Sequence, residues 1–246
     1  MRWYKADLHI HTVLSPCGDL DMSPVNIIRQ ANLKKLDIIA VTDHNSTRHC
    51  RITAHIGKRY GIKVLAGAEL NTKEEVHCLA IFENADIADV FQEVIDLNLL
   101  PVPNDPEIFG HQFIVDEEEN ILDEEVRLLV ASLQLSVDEL SDQVERLGGL
   151  FIPAHIDRHH NGIYSQLGFL PPALKVDALE VSRRSGFKQF LEAHPEVHRY
   201  GVITNSDAHT ISRIGESITE YYLGDTGIEE IRLALHTQNG RKLKTT

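Results

Sequence analysis

His9 and His11, one residue apart, open a series of side chains able to hold metal: Asp43 with His44, then Glu69, His77, His155, and Asp207 with His209. Imidazole and carboxylate together suit Zn, Mn or Fe. A set this large points to a two- or three-metal hydrolytic cluster rather than a closed structural zinc. Residues two apart on an extended strand share a face, so His9 and His11 can chelate one ion, and Asp207 and His209 repeat the spacing. One such histidine taken alone is ordinarily a satisfied core or surface residue. The joint pattern argues otherwise, because the ligand types gather at the ends of short apolar runs and mostly avoid the stretches with helical periodicity.

Those runs are Trp3 to His9, Asp37 to Thr42, Ile62 to Ala68, Val76 to Phe82, Leu150 to His155, Ala178 to Ser182 and Val202 to Asn205. Helices fit between several of them. Ser23–Pro24 is a cap with proline at the first helical position, a second helix can run from Ser46 to Tyr60 and stop at Gly61, and Ser136 with Glu139 forms a capping box. Residues 86–97 and 227–236 also read as helical. Alternating strands and helices give an α/β fold with a parallel sheet, and about seven units favour a barrel, whose strand ends converge on one mouth. His9 and His11 end the first run, His44 the second, Glu69 the third and His155 the fifth. Asp207 and His209 end the last, while His77 starts or lines the fourth.

The chain of 246 residues is long enough to bury a core without staples, and 42% hydrophobic with 25% charged residues excludes a disordered or coiled-coil chain. It reads as one domain over residues 1–246 with an insertion at about 98–148. The opening MRWYKADLHIHT puts charged and polar residues where a signal peptide needs an apolar core, and no run reaches the length of a membrane helix, so neither secretion nor membrane spanning is expected. Three cysteines are a poor disulfide framework, and a cytoplasmic location is expected. The net charge of -13 is concentrated between residues 104 and 146, where thirteen acids face only Arg127 and Arg146. This acidic stretch reads as a solvated cap, or as a lid that repels long polyanions while admitting a small phosphate.

The motifs DLHIHT (7–12), TDHN (42–45), GAEL (67–70), VHCLA (76–80), PAHIDR (153–158) and NSDAH (205–209) resemble, in order, those of the PHP (polymerase and histidinol phosphatase) superfamily. The resemblance spans residues 5 to 215. It implies a distorted (β/α)7, TIM-like barrel with a metal cluster at its mouth, and phosphoesterase activity. Carried over by motif, it implies that His9, His11 and Asp207 hold one ion and that Glu69 bridges to a second, held by His77 and His155. His44 and His209 would hold a third, completed by Cys17 or by Asp19; an ordinary small buried residue is the alternative reading of Cys17.

Hydrolysis would then use a metal-bridging hydroxide as nucleophile, with cations beside the metals gripping phosphate. Arg158, Arg183, Arg184 and the loop residue His159 are candidate substrate contacts, and Arg158 and Arg183 candidate catalytic cations. The ordinary reading of Arg183–Arg184 is a solvated pair, and that of His159 and His160 a surface loop. Asp43 would orient a ligand or relay a proton, or simply cap a helix before Ser46. His49, His55, His194, His198 and His236 read as structural or solvent-facing, and His111 carries no assignment. The expected partner is a small phosphorylated metabolite or nucleotide, with long nucleic acid and membranes disfavoured. The competing readings are an amidohydrolase-like enzyme, an exonuclease-type nuclease acting on 3′ or 5′ ends, and a non-catalytic metal-stabilised domain that binds a partner.

Overall fold

The computed structural model describes residues 1–182 and 187–245. Strand β1 (Arg2–Ile10) leads through helix α1 (Pro24–Leu33) to β2 (Ile38–Val41), and α2 (Cys50–Tyr60) leads to β3 (Lys63–Asn71). Then come β4 (His77–Phe82) and α3 (Ala85–Asn98), followed by an excursion carrying α4 (Pro106–Phe109) and a hairpin of β5 (Phe113–Val115) and β6 (Ile121–Glu124). The chain continues with α5 (Val137–Arg146), β7 (Leu150–Pro153), α6 (Ile163–Leu167), β8 (Ala178–Glu180), α7 (Phe187–Ala193) and β9 (Gly201–Ile203). It ends with β10 (Thr219–Leu223), α8 (Ile228–Leu235) and β11 (Lys242–Thr245).

Local chemistry sets the helix ends. The Ser23 hydroxyl accepts from the Asn26 amide at the start of α1, α2 stops at Gly61 in the left-handed region, and Ser136 and Glu139 cap α5 reciprocally. Helix α2 begins at Cys50 rather than Ser46, because the preceding residues are engaged elsewhere: the Thr47 amide donates to Gln92 Oε1 at 2.6 Å.

The main sheet runs β11-β10-β1-β2-β3-β4-β7, and β8 pairs in parallel with β9. Strands β1, β2 and β3 are parallel, but β4 is antiparallel to both β3 and β7, which corrects the expected all-parallel arrangement. Parallel neighbours require a crossover of about a dozen residues or more. Only residues 72–76 separate β3 from β4, so a hairpin is what the chain can make. Strands β3 and β4 approach closely at Gly67, where a Cβ would lie 2.5 Å from the Ala80 carbonyl oxygen. The four strands not foreseen are β5, β6, β10 and β11.

The sheet curls on itself. Ala6 and Leu8 of β1, Ile38 of β2, Leu79 of β4, Ile152 of β7, Ala178 of β8 and Ile203 of β9 share one buried cluster, although they come from strands far apart in the sheet order. The seam closes where residues after β9 reach β1: Ile10 bridges Ala208 in parallel, and the His11 amide donates to the Ala208 carbonyl at 3.0 Å. Outside the ring, Ile27 and Ile28 of α1 and Ile56 of α2 pack on Ile39 and Val64. Each such side chain contributes about 1.5–3 kcal/mol by leaving water.

The excursion lies against the helices and reaches the loops beside the mouth, where Asn45 donates to the Leu129 and Ala131 carbonyls and Asn71 to that of Val130. Glu119 accepts from Ser23 and Asn26 beside α1, Glu117 pairs with Arg59 of α2, and Glu125 pairs with Arg127 and Arg48. Glu117 and Glu125 are thus paired with flanking cations, and Glu119 with neutral donors. Helix α5, which falls inside the expected insertion boundaries, packs on β4 and β7 as part of the barrel wall. No helix among the described residues is long and apolar enough to cross a membrane.

Candidate metal centre

The strand ends gather His9, His11, His44, Glu69, His77, His155, Asp207 and His209. A register shift between Asp7 and Ile10 breaks the alternation of β1. Ile10 joins the layer under α1 and α2, while His9 and His11 both turn inward, with their Nε2 atoms 3.1 Å apart. His44, just past β2, continues the parallel pairing by a bridge to Glu69 of β3. The antiparallel course of β4 brings its first residue, His77, to the mouth, where its Nδ1 lies 3.0 Å from Glu69 Oε1. His155 (φ 32°) and Asp207 (φ 48°) sit in the left-handed region, backbone strain of the kind that collects at functional sites.

Glu69 is the hub. Its oxygens lie 3.4 Å from His9 Nε2, 3.3 Å from His11 Nε2, 3.2 Å from His44 Nδ1 and 3.0 Å from His155 Nε2. Three overlapping groups of ligand atoms result: His9, His11, Glu69 and Asp207; His44, Glu69 and His77; and His11, His44 and His209. In the second group His44 stands where the family pattern led us to expect His155, which reaches Glu69 from the other side. Neither Cys17 nor Asp19, the two candidates for completing a third site, joins any of the groups. Both residues are exposed, although burial of the thiol, followed by the charges of Glu69 and Asp207, pushes Cys17 up to about 12. Arg183 and Arg184 lie outside the described residues, and His159 and His160 are exposed on the loop after β7.

The donor set fits a divalent cation. A tetrahedral ion with metal–nitrogen bonds of about 2.0–2.1 Å spaces its ligand atoms about 3.3 Å apart. Asp207 Oδ1 is 3.3 Å from both His9 Nε2 and His11 Nε2, the edge length of such a figure. The buried Nδ1 atoms of His44 and His155 have no hydrogen-bond partner.

Outer partners aim the ligands. Both Glu180 oxygens face His9 Nδ1, at 3.1 and 3.0 Å, and the same carboxylate accepts from the His155 amide and from Asn205 Nδ2. His11 Nδ1 donates to Ser15 Oγ, and Ser15 and Thr12 both donate to Asp43. Asp43 therefore caps no helix and acts through Ser15. His209 Nδ1 donates to the Asp207 carbonyl at 3.0 Å. Each of these bonds aims Nε2 at the cluster, where an ion would displace any proton it carries. Sequence reading missed Glu180, whose only signal is an acid inside the apolar run ALEV, and Ser15.

The fields are strong. Burial alone would lower His9 and His11, but Glu180, Glu69 and Asp207 hold His9 well above the usual imidazole range, and Asp207 and Glu69 hold His11 at about 9. Burial and the neighbouring His11 push His44 well below that range and His209 down to about 4. Burial would raise Glu69, yet His77, His9 and His44 keep it well below the ordinary carboxylate value.

Arg158 donates to Asp207 Oδ2 at 2.6 Å, and its Nε is buried without a partner. It lines a cavity of about 290 Å³ beside the cluster, shared with Asn205, Ser206, Arg213 and Ser217.

A family model for the PHP domain matches residues 7–157. The chain belongs to the PHP domain family. Asp207 and His209 lie beyond the matched stretch, so the PHP ligand cluster is completed by residues that only the ring closure brings back. The uncharacterized protein MJ1587 of Methanocaldococcus jannaschii is 37% identical over 91 residues, 34% of this chain and 53% of that protein. Among solved structures, the lesion-specific endonuclease EndoQ of Pyrococcus furiosus is similar to this PHP chain with a TM-score of 0.72 and 23% identity, over 98% of this chain and 57% of that one. Endonuclease Q has also been solved with a 27-mer duplex carrying an abasic lesion at its active site. A protein of Bifidobacterium adolescentis, named for a metal-dependent phosphoesterase role, is similar with a TM-score of 0.57 and 18% identity, over 83% of this chain and 87% of that one. The chain thus spans little more than half the length of MJ1587 and of the endonuclease.

Proposed function

We propose that this PHP domain is a metal-dependent phosphoesterase. The single observation that carries the reading is the convergence of ligand atoms from His9, His11, Glu69 and Asp207, with Glu69 shared by a second group of ligand atoms. In this reading those residues would hold one divalent ion, and Glu69, His77 and His44 or His155 a second. Bound ions would lower the pKa of water and neutralise the charge of the ester oxygens, the two obstacles to attack on a phosphate ester.

The chain's own residues supply orientation and anion binding. Glu180 and Ser15 fix the tautomers of His9 and His11. Arg158 holds Asp207 by one nitrogen and keeps Nε available, and with Arg213 it flanks the adjoining cavity. Guanidinium groups there would grip an ester phosphate beside the cluster. At about 290 Å³ the cavity is at the small end of ligand pockets, which run from about 300 to 1,000 Å³. That size supports a small phosphorylated compound as substrate.

A second reading, cleavage of a DNA backbone, is favoured by the fold shared with Endonuclease Q over nearly the whole chain. One panel separates the two: protein loaded with Mn or Zn, assayed on phosphomonoesters, nucleotides, short oligonucleotides and a lesion-bearing duplex. Release of phosphate from small esters supports the first reading, and nicking of the duplex alone supports the second. No hydrolysis of any member would end the phosphoesterase proposal.

A further inference from the structure

His49 lies outside the cluster, yet both of its ring nitrogens are committed and the ring is fully buried. Its Nε2 is 3.0 Å from the backbone nitrogen of Val115, in strand β5 of the excursion, and its Nδ1 is 2.6 Å from Thr12 Oγ1. Hydrogen-bond directions along this path are forced. The Val115 amide can only donate, so Nε2 must be bare and the proton of the neutral ring sits on Nδ1. Burial holds His49 below the usual imidazole range, which keeps the ring neutral.

Thr12 Oγ1 therefore accepts from His49 and sends its own proton to Asp43 Oδ2, 2.8 Å away. Asp43 Oδ1 takes the Ser15 proton at 2.7 Å, which obliges the Ser15 oxygen to accept from His11 Nδ1. An unbroken series of bonds thus joins a backbone amide of the excursion to the imidazole of His11. The same excursion is anchored at its other end next to two more cluster residues. Asn45, after His44, donates to the Leu129 and Ala131 carbonyls, and Asn71, two residues past Glu69, donates to Val130.

We propose that His49 is a positioning residue that transmits the docking of the 99–135 segment to the metal-facing orientation of His11. The inference rests on the reading that the cluster binds a divalent cation. Without the Val115 donor, nothing fixes the His49 tautomer. The proton can then move to Nε2, Nδ1 becomes an acceptor for the Thr12 hydroxyl, and Asp43 loses one of the donors that hold it against Ser15. Because Asp43 also accepts from the Thr12 amide at 2.7 Å, the effect on His11 is graded rather than total.

The test is calorimetric titration of the full chain with Mn²⁺ or Zn²⁺, for the parent and three variants. His49→Phe fills the space without either bond, and it weakens binding about tenfold, the low end of the loss that follows removal of an outer ligand partner. His49→Gln can accept from Val115 and donate to Thr12, so it restores affinity to within about threefold of the parent, a rescue that mere space-filling would not give. Val115→Pro removes the donor while leaving His49 in place, and its binding weakens in the same direction as that of His49→Phe. If His49→Phe does not fold, Val115→Pro alone decides: affinity equal to the parent's overturns the proposal. Parent-like binding by His49→Phe, or equal weakness of the Gln and Phe variants, overturns it too while leaving the metal reading intact. Failure of the parent itself to bind either ion removes both.

Discussion

Glu180 faces His9 Nδ1 with both carboxylate oxygens, and no other acceptor among the described residues competes for that proton. The arrangement fixes which nitrogen of His9 is bare and makes it a stronger donor to a cation. Glu180→Gln keeps the shape but points an amide N–H at one of three existing donors: His9 Nδ1, the His155 amide or Asn205 Nδ2. Cation affinity is expected to fall about 10–100-fold, measured by competition with a chromogenic chelator. Unchanged affinity would mean that Glu180 is only a buried structural acid.

Protons compete with cations here. In the cation-free protein the carboxylates outweigh burial and hold His9 well above the imidazole range and His11 at about 9, so both carry an extra proton at neutral pH. Loading the first site at pH 7 is expected to release about two protons, read from calorimetry in buffers of different ionisation enthalpy. Release near zero would contradict the assignment of these two histidines. The stability linkage has a definite sign. Both folded-state values lie above the unfolded 6.5, so this contribution is full below pH 6.5 and lost as pH rises through about 9. The Tm of the cation-free protein is expected to drop across that window.

Removing the hub is the severest single change. Glu69 touches five of the six clustered histidines, so Glu69→Gln leaves them without a shared anion. Hydrolysis is expected to fall by more than the roughly 10–100-fold that loss of an outer partner causes. Far-UV circular dichroism is expected to match the parent, because the strand ladder around Glu69 is made by the backbone. Activity within tenfold of the parent's would exclude Glu69 as a bridging ligand.

Chelation tests whether the cluster binds anything. An ion present at about 1,000 times its Kd stabilises the folded state by about 4 kcal/mol. In a chain of this size that corresponds to a Tm difference of about 8–16 °C between loaded and chelated protein. Equal melting temperatures with and without EDTA would argue against a bound ion.

Arg158 is placed to act on substrate through the cavity and on the cluster through Asp207. Arg158→Lys keeps the charge and loses the fork, so KM for a phosphate ester is expected to rise about tenfold with a smaller change in kcat. A fall in kcat alone would assign Arg158 to Asp207 and not to substrate.

Much of the site was legible because its residues stand out against their surroundings. Histidines and acids at the ends of apolar runs are costly unless they pair, and the fold brings eight of the expected ligands together while leaving Cys17 and Asp19 outside every group. The seven strands that carry them were also legible, to within a few residues at the ends. What sequence could not supply was direction and partnership. The 72–76 connection is too short for a crossover, a length argument that could have been made, and it changes why His77 reaches the mouth. Glu180 was hidden because one acid in a short strand has no periodic signature. His49 looked like an ordinary helix-edge histidine, since its two partners come from β5 and from the loop after β1, which only the folded chain brings together. Strands β10 and β11 were missed because TEYYL and KLKT are short and carry no site chemistry.

The reversed strand β4 also bears on the order in which the chain assembles. Glu69 and His77 are eight residues apart and meet as soon as the hairpin zips, a closure of small entropic cost. At the seam, Asn205 accepts from the Leu8 amide across 197 residues of chain, and Asp207 and His209 arrive with it. One half of the ion's cage is thus available early in folding, while the other waits for the tail to come home. A captured ion would act as a clasp between β1 and the segment after β9, and its loss would loosen that seam before it disturbed the hairpin.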